Sequence, residues 1–253
     1  MGTAPGTILV PLLARPGSGE SEQLEATAVD AAFRLAKRLD AHVHVVCMHA
    51  TPEGLGPRLA PWIPGAAVDE LLGRIEREAA RRYERAREMF EVALARHEAP
   101  KRRTPPGEGP RFSADFAEAS TEANAAMARE GRHADLIVLA NHPMDADEYA
   151  PLAAELALDR AAAPVLMIPF GEWPSLYRRI AIGWNGSREA ARAVLAAGPF
   201  LEAAERVDVI TIAEDGEAPA QAGDIVRQLA WRGIAAHAHD LEAGEEDTGT
   251  RLL

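Results

Sequence analysis

The order strand, loop, helix, strand begins twice in this chain. Ile8-Leu9-Val10-Pro11-Leu12-Leu13 opens the first copy, which reaches Val43-His44-Val45-Val46-Cys47-Met48; Ile180-Ala181-Ile182-Gly183-Trp184 reopens the order and leads to Val207-Asp208-Val209-Ile210-Thr211-Ile212. Such self-similarity constrains the fold more than any single motif, because each copy must be the same kind of supersecondary unit. The first copy continues to Asp135-Leu136-Ile137-Val138-Leu139 and Pro164-Val165-Leu166-Met167-Ile168, whereas the second reaches Leu252-Leu253 without a counterpart of those two strands. The expectation is a complete domain over 1–172 and an incomplete second one over 173–253, with Gly171-Glu172-Trp173-Pro174 as linker.

The strands are continuous apolar runs, as parallel strands buried on both faces require, and helices separate them. From Glu22 to Leu39 the apolar positions Leu24, Ala28, Ala31, Ala32, Leu35 and Leu39 recur at three and four, leaving Glu25, Asp30, Arg34, Lys37 and Arg38 for solvent. His49 to Pro64 reads as a crossing loop, Val68 to His97 as a long amphipathic helix, and Pro110 to Phe116 as the third strand. The arginines of the long helix are interleaved with glutamates, which marks a solvated face rather than an anion site. Helices over Thr121 to Glu130 and Leu152 to Ala162 flank the fourth strand. The order βαβαβαβαβ implies an α/β fold with a doubly wound parallel sheet and right-handed crossovers.

The residues Arg179-Ile180-Ala181-Ile182-Gly183-Trp184-Asn185-Gly186-Ser187-Arg188-Glu189-Ala190 resemble the opening of a universal stress protein domain: a strand ending in Asp or Asn, then Gly-Ser, then an Ala-rich helix. Ala134-Asp135-Leu136-Ile137-Val138-Leu139 and Ala163-Pro164-Val165-Leu166-Met167-Ile168 are similar to that family's fourth and fifth strands. The resemblance implies a flavodoxin-like, adenine nucleotide α-hydrolase-like sheet of order 3-2-1-4-5 followed by a partial second copy, with ligand at the switch point between the first and fourth strands. ATP-binding members place adenine by the Asp or Asn after the first strand. They hold phosphates on a loop G-x-x-G, a spacer of about nine residues, then G-[ST], whose bare amides face the anion.

Aligned back from Pro164-Val165-Leu166, this chain has Ala140, Pro143 and Pro151 where the family has its glycines, and Leu152 at the Ser/Thr position. Proline offers no N–H, and Asp145, Asp147 and Glu148 would repel a triphosphate. The second copy keeps Asn185, Gly186 and Ser187, the adenine side of a site, and residues after Glu214 are expected to be its least ordered part. Asn141 and His142, past the fourth strand, are the polar candidates in the first domain. The implied role is a non-catalytic stress-response protein that acts by binding partners, with no cofactor and ATP held weakly or not at all. The alternative is an ATP-binding or ATP-hydrolysing α-hydrolase-like protein, whose Ser-Gly-Gly-x-Asp-Ser loop is matched poorly by Ala14-Arg15-Pro16-Gly17-Ser18-Gly19. A phospho-receiver domain would need a lysine late in the sheet, which is missing.

Other chemistry is weakly supported. His42-Val43-His44 and His237-Ala238-His239 each place two imidazoles on one strand face, but with no convergent carboxylate evident neither pair is expected to bind metal. No Gly-Lys-[Ser/Thr] loop and no Gly-x-Ser-x-Gly elbow occur, so Ser187 is expected to cap a helix and Asp135 to bond a strand corner. The net charge of -12 over 253 residues opposes nucleic-acid and membrane-surface binding. The single cysteine, Cys47, fits a buried position in a reducing compartment, and no stretch approaches the ~20 apolar residues of a membrane span, so a cytoplasmic protein is expected. The fifth strand, Val165 to Ile168, is an apolar edge through which a homodimer is expected.

Overall fold

The computed structural model describes residues 5–12, 19–48, 65–119, 123–141, 150–169, 171, 177–212 and 222–241. The chain divides into two compact units, Pro5–Gly171 and Glu172–Leu253.

In the first unit the elements run β1 (Thr7–Leu12), α1 (Gly19–Leu39), β2 (His42–Met48), α2 (Gly65–His97), β3 (Ser113–Ala119), α3 (Ala123–Gly131), β4 (Leu136–Ala140), α4 (Ala150–Arg160) and β5 (Val165–Ile168). All five strands are parallel in the order β3-β2-β1-β4-β5, the order that the resemblance implies. Alternation along each strand sorts the core into two faces. Leu9, Val46, Met48, Ala119, Ile137 and Leu139 point to the face covered by Ala126 and Met127 of α3 and Leu156 and Ala157 of α4. Phe116 points the other way and meets Phe90 of α2, with ring centroids 5.6 Å apart.

Helix α1 buries Leu24, Ala28, Ala32 and Leu35 as its periodicity requires, but it also buries Phe33 and Ala36 because α2 packs over it. Asp30 is therefore not left to solvent: it is buried against α2, where Arg96 and His97 join Arg34 on its carboxylate. The third strand begins three residues later than its sequence suggests. Pro110 has no N–H, and the amides of Arg111 and Phe112 donate to the side chain of Asp40 at 2.8 and 2.9 Å, so sheet pairing starts at Ser113. Asp135 takes its expected structural place: its carboxylate accepts from the amides of Gly6 and Thr7 at 2.9 and 3.0 Å.

The second unit contains β6 (Arg179–Gly183), α5 (Arg188–Ala196), α6 (Gly198–Glu202), β7 (Arg206–Ile212), α7 (Ala222–Ala230) and β8 (Ala236–Leu241), with a parallel sheet ordered β6-β7-β8. The row repeats the sequence-order run of β1, β2 and β3. Of the stretch beyond Glu214, residues 222–241 are described, and these form a helix and a strand of the second unit rather than the loose end that was expected. Helix α7 buries Ala222, Ile225 and Leu229 against Val207 and Val209, and β8 pairs along β7 from Ala236 to Leu241.

Candidate functional site

At the carboxyl ends of the strands, the crevice of a doubly wound sheet lies where neighbouring strands send their connections to opposite faces, here between β1 and β4. Asn141 follows β4 there and is exposed, while its amide donates to the carbonyl of Ile168 at 2.8 Å and so extends the pairing with β5. His142 and Pro143 lie outside the described residues. Ala140 ends β4 and Pro151 is the second residue of α4. Proline suits a helix's first turn but removes one of the amides that would face an anion there.

In the second unit Asn185, Gly186 and Ser187 follow β6. Gly186 has φ of 74°, a left-handed conformation that favours glycine. Asn185 Oδ1 accepts from the Ser187 amide at 3.1 Å, and Ser187 Oγ accepts from the Ala190 amide at 3.1 Å as the N-cap of α5. The polar groups of this loop serve its own turn and helix. Asn141 and the Asn185 to Ser187 loop belong to different compact units.

The opposite, amino ends of β2 and β3 carry a polar cluster of which sequence reasoning named only the two histidines and set them aside. The register sets His42 opposite Ser113 and His44 opposite Asp115, all on the sheet face that further along carries Val46, Met48 and Ala119. Asp115 Oδ1 lies 3.1 Å from His42 Nε2 and 2.6 Å from His44 Nδ1. His42 Nδ1 is 2.9 Å from Ser113 Oγ, and His44 Nε2 is 3.5 Å from Glu130 Oε2 at the end of α3. The convergent carboxylate absent from local sequence is supplied by Asp115, and the two histidines with this aspartate place one ligand atom each within 4.8 Å of the others. Burial works against charge on His44, but the hydrogen bond and charge of Asp115, with Glu130 behind, hold its pKa above the usual imidazole value. Burial alone would raise the Asp115 carboxyl; the bonds from His42 and His44 outweigh it and hold it well below the usual carboxylate range.

The second histidine pair is different. His239 Nε2 lies 2.8 Å from Asp208 Oδ1, but Arg206 already grips both oxygens of that carboxylate at 2.7 and 2.9 Å. A guanidinium there supplies the charge that a metal would otherwise bring. Cys47 is buried, and burial, with Glu25 and Glu118 nearby, pushes its thiol up to about 12, so it is neither nucleophile nor ready ligand.

No family model matches the sequence, and the search of curated proteins finds no match. Among solved structures, a universal stress protein from Archaeoglobus fulgidus DSM 4304 is similar over 94% of this chain and 77% of its own, with a TM-score of 0.55 at 14% identity. Universal stress protein UspA from Lactobacillus plantarum aligns over 64% of this chain and 96% of its own, with a TM-score of 0.43 at 15% identity. A universal stress protein family member from Burkholderia pseudomallei aligns over 65% and 96%, with a TM-score of 0.37 at 21% identity. The fold assignment rests on the first of these and on the strand order: the chain carries the fold of the universal stress proteins.

Proposed function

We propose that this chain is a non-catalytic protein of the universal stress type that works by binding partners, and that it holds ATP weakly or not at all. The observation behind this reading is Pro151 in the first turn of α4, with Ala140 ending β4, where a triphosphate would need glycine amides. In the second unit the Asn185 to Ser187 loop spends its polar groups on its own turn and cap, and β6 is an edge strand among the described residues.

Two further expectations belong to this reading. The chain acts in the cytoplasm, where the buried thiol of Cys47 stays reduced. It also forms a homodimer through β5, an edge strand of four residues whose outer side is unpaired in the sheet. No described helix is long and apolar enough to cross a membrane.

Calorimetric titration of the full chain with Mg-ATP tests the proposal. No saturable heat and no phosphate release are expected. A micromolar dissociation constant overturns the reading and favours the ATP-binding alternative; steady ATP hydrolysis would establish the enzyme.

A further inference from the structure

Four polar residues form a two-by-two block on the sheet face that carries Leu9, Val46, Met48 and Ala119: His42 and His44 on β2, Ser113 and Asp115 on β3. A doubly wound sheet is expected to bury apolar residues on both faces, so polar occupancy of four neighbouring positions calls for a compensating interaction.

The hydrogen bonds show what is missing. Ser113 Oγ lies 2.7 Å from the carbonyl oxygen of Arg111, and two oxygens that close need a proton between them. The serine hydroxyl has only one, so toward His42 it must accept, and His42 Nδ1 carries the proton that it accepts at 2.9 Å. In neutral His42 the other nitrogen, Nε2, then presents a lone pair. That lone pair faces Asp115 Oδ1 at 3.1 Å, acceptor against acceptor, unless a proton or a metal cation is shared between them. His44 completes the arrangement, with Nδ1 on the same Asp115 oxygen and Nε2 toward Glu130.

We propose that His42 Nε2, His44 Nδ1 and Asp115 Oδ1 form a three-ligand site for a first-row divalent cation of the zinc type. Two imidazoles and a carboxylate are the donor set that such a cation prefers, and three protein ligands leave a further position for water. The outer shell is already built: Ser113 holds the distal nitrogen of His42, and Glu130 faces that of His44, as metal-bound histidines require. In tetrahedral zinc the ligand atoms stand about 3.3 Å apart; here Asp115 Oδ1 lies 3.1 and 2.6 Å from the two nitrogens, and all three atoms lie within 4.8 Å of one another. Both histidine side chains are about a quarter exposed, at 26% and 23%, which gives the ion a way in. Among the described residues no lysine or arginine pairs with Asp115, unlike Asp208, which holds Arg206. The site lies at the strand ends opposite the crevice and does not depend on the ATP reading.

The competing occupant is a proton, which would make His42 an imidazolium. Chelator-treated full chain is titrated with Zn(II) at neutral pH, and bound metal is measured after dialysis; Co(II) serves as a visible-absorption probe. One Zn(II) per chain is expected, and Co(II) in its place should show the visible absorption of a four-coordinate nitrogen and oxygen site. His44→Ala and Asp115→Ala should each weaken binding by at least about tenfold, Ser113→Ala by about tenfold through the outer shell, and a His237→Ala/His239→Ala double variant should change nothing. Should a variant misfold, the shifts of the histidine ring signals in wild-type NMR on Zn(II) addition place the ion: His42 and His44 are expected to move, and movement confined to other histidines overturns the proposal. No saturable zinc binding, or binding lost only in the His237→Ala/His239→Ala variant, overturns the proposal and leaves the proton as occupant.

Discussion

His97 at the end of α2 places Nε2 2.9 Å from Asp30 Oδ1 in α1, and the same carboxylate receives Arg96 and Arg34. Burial alone would raise the Asp30 carboxyl, but the bonds from His97, Arg96 and Arg34 outweigh it and lower the pKa. A carboxyl lowered in the folded state contributes stability above its unfolded value of about 3.9 and loses it as pH falls through the folded value. Asp30→Asn should therefore cost about 2 kcal/mol at pH 7 in urea unfolding, and the gap to wild type should shrink below about pH 4. A gap that stays constant down to acid pH would refute the assignment.

The Asp135 carboxylate fastens the start of β1 through the amides of Gly6 and Thr7. Asp135→Ala should lower the stability of the first unit by about 1 kcal/mol, since water can still reach those exposed amides. Hydrogen exchange should quicken at Gly6 and Thr7 before it does at Ile8 to Val10, which are buried.

Ser187 caps α5 and is not expected to react. Ser187→Ala should cost about 1 kcal/mol in the second unit's unfolding, and Ser187→Asp should restore most of it, because an aspartate can accept from the same amide. Labelling of Ser187 by a serine-directed fluorophosphonate would show instead that it is a nucleophile.

The proposed dimer through β5 is tested at Met167, which is 41% exposed on that edge strand. Met167→Lys should shift sedimentation at tens of micromolar from dimer to monomer without altering the circular dichroism, because edge lysines oppose strand pairing. A wild type that sediments only as monomer removes the dimer.

What the sequence made legible was whatever depends on local apolar pattern. The apolar runs at Ile8, Val43, Leu136 and Val165 fall within strands, and their alternation with helices sufficed for a doubly wound parallel sheet; the order 3-2-1-4-5 came from the family resemblance. Strand β8 was legible only at His237-Ala238-His239: Ala236-His237-Ala238-His239-Asp240-Leu241 is mostly exposed and has no apolar face to mark its extent, and pairing with β7 makes it a strand. Helix α7 went unnoticed although Ala222, Ile225 and Leu229 stand at helical spacing. The histidine cluster was missed for a different reason. His44 and Asp115 are 71 residues apart and meet only through the β2 and β3 register, which Asp40 helps to set by drawing off the amides at Arg111 and Phe112. The alternation Ser113-x-Asp115 matching His42-x-His44 was the available signal. Asp30 was read as wet because a helix's own periodicity says nothing of a second helix packed over it.

Strand β2 runs seven residues from His42 to Met48, so the histidine end of the sheet stands roughly 20 Å from the crevice end. That distance uncouples the two. Substitutions that strip the glycines past β4 leave the imidazoles and Asp115 undisturbed, so the scaffold can forfeit one chemistry at its rim while keeping or acquiring another at its base.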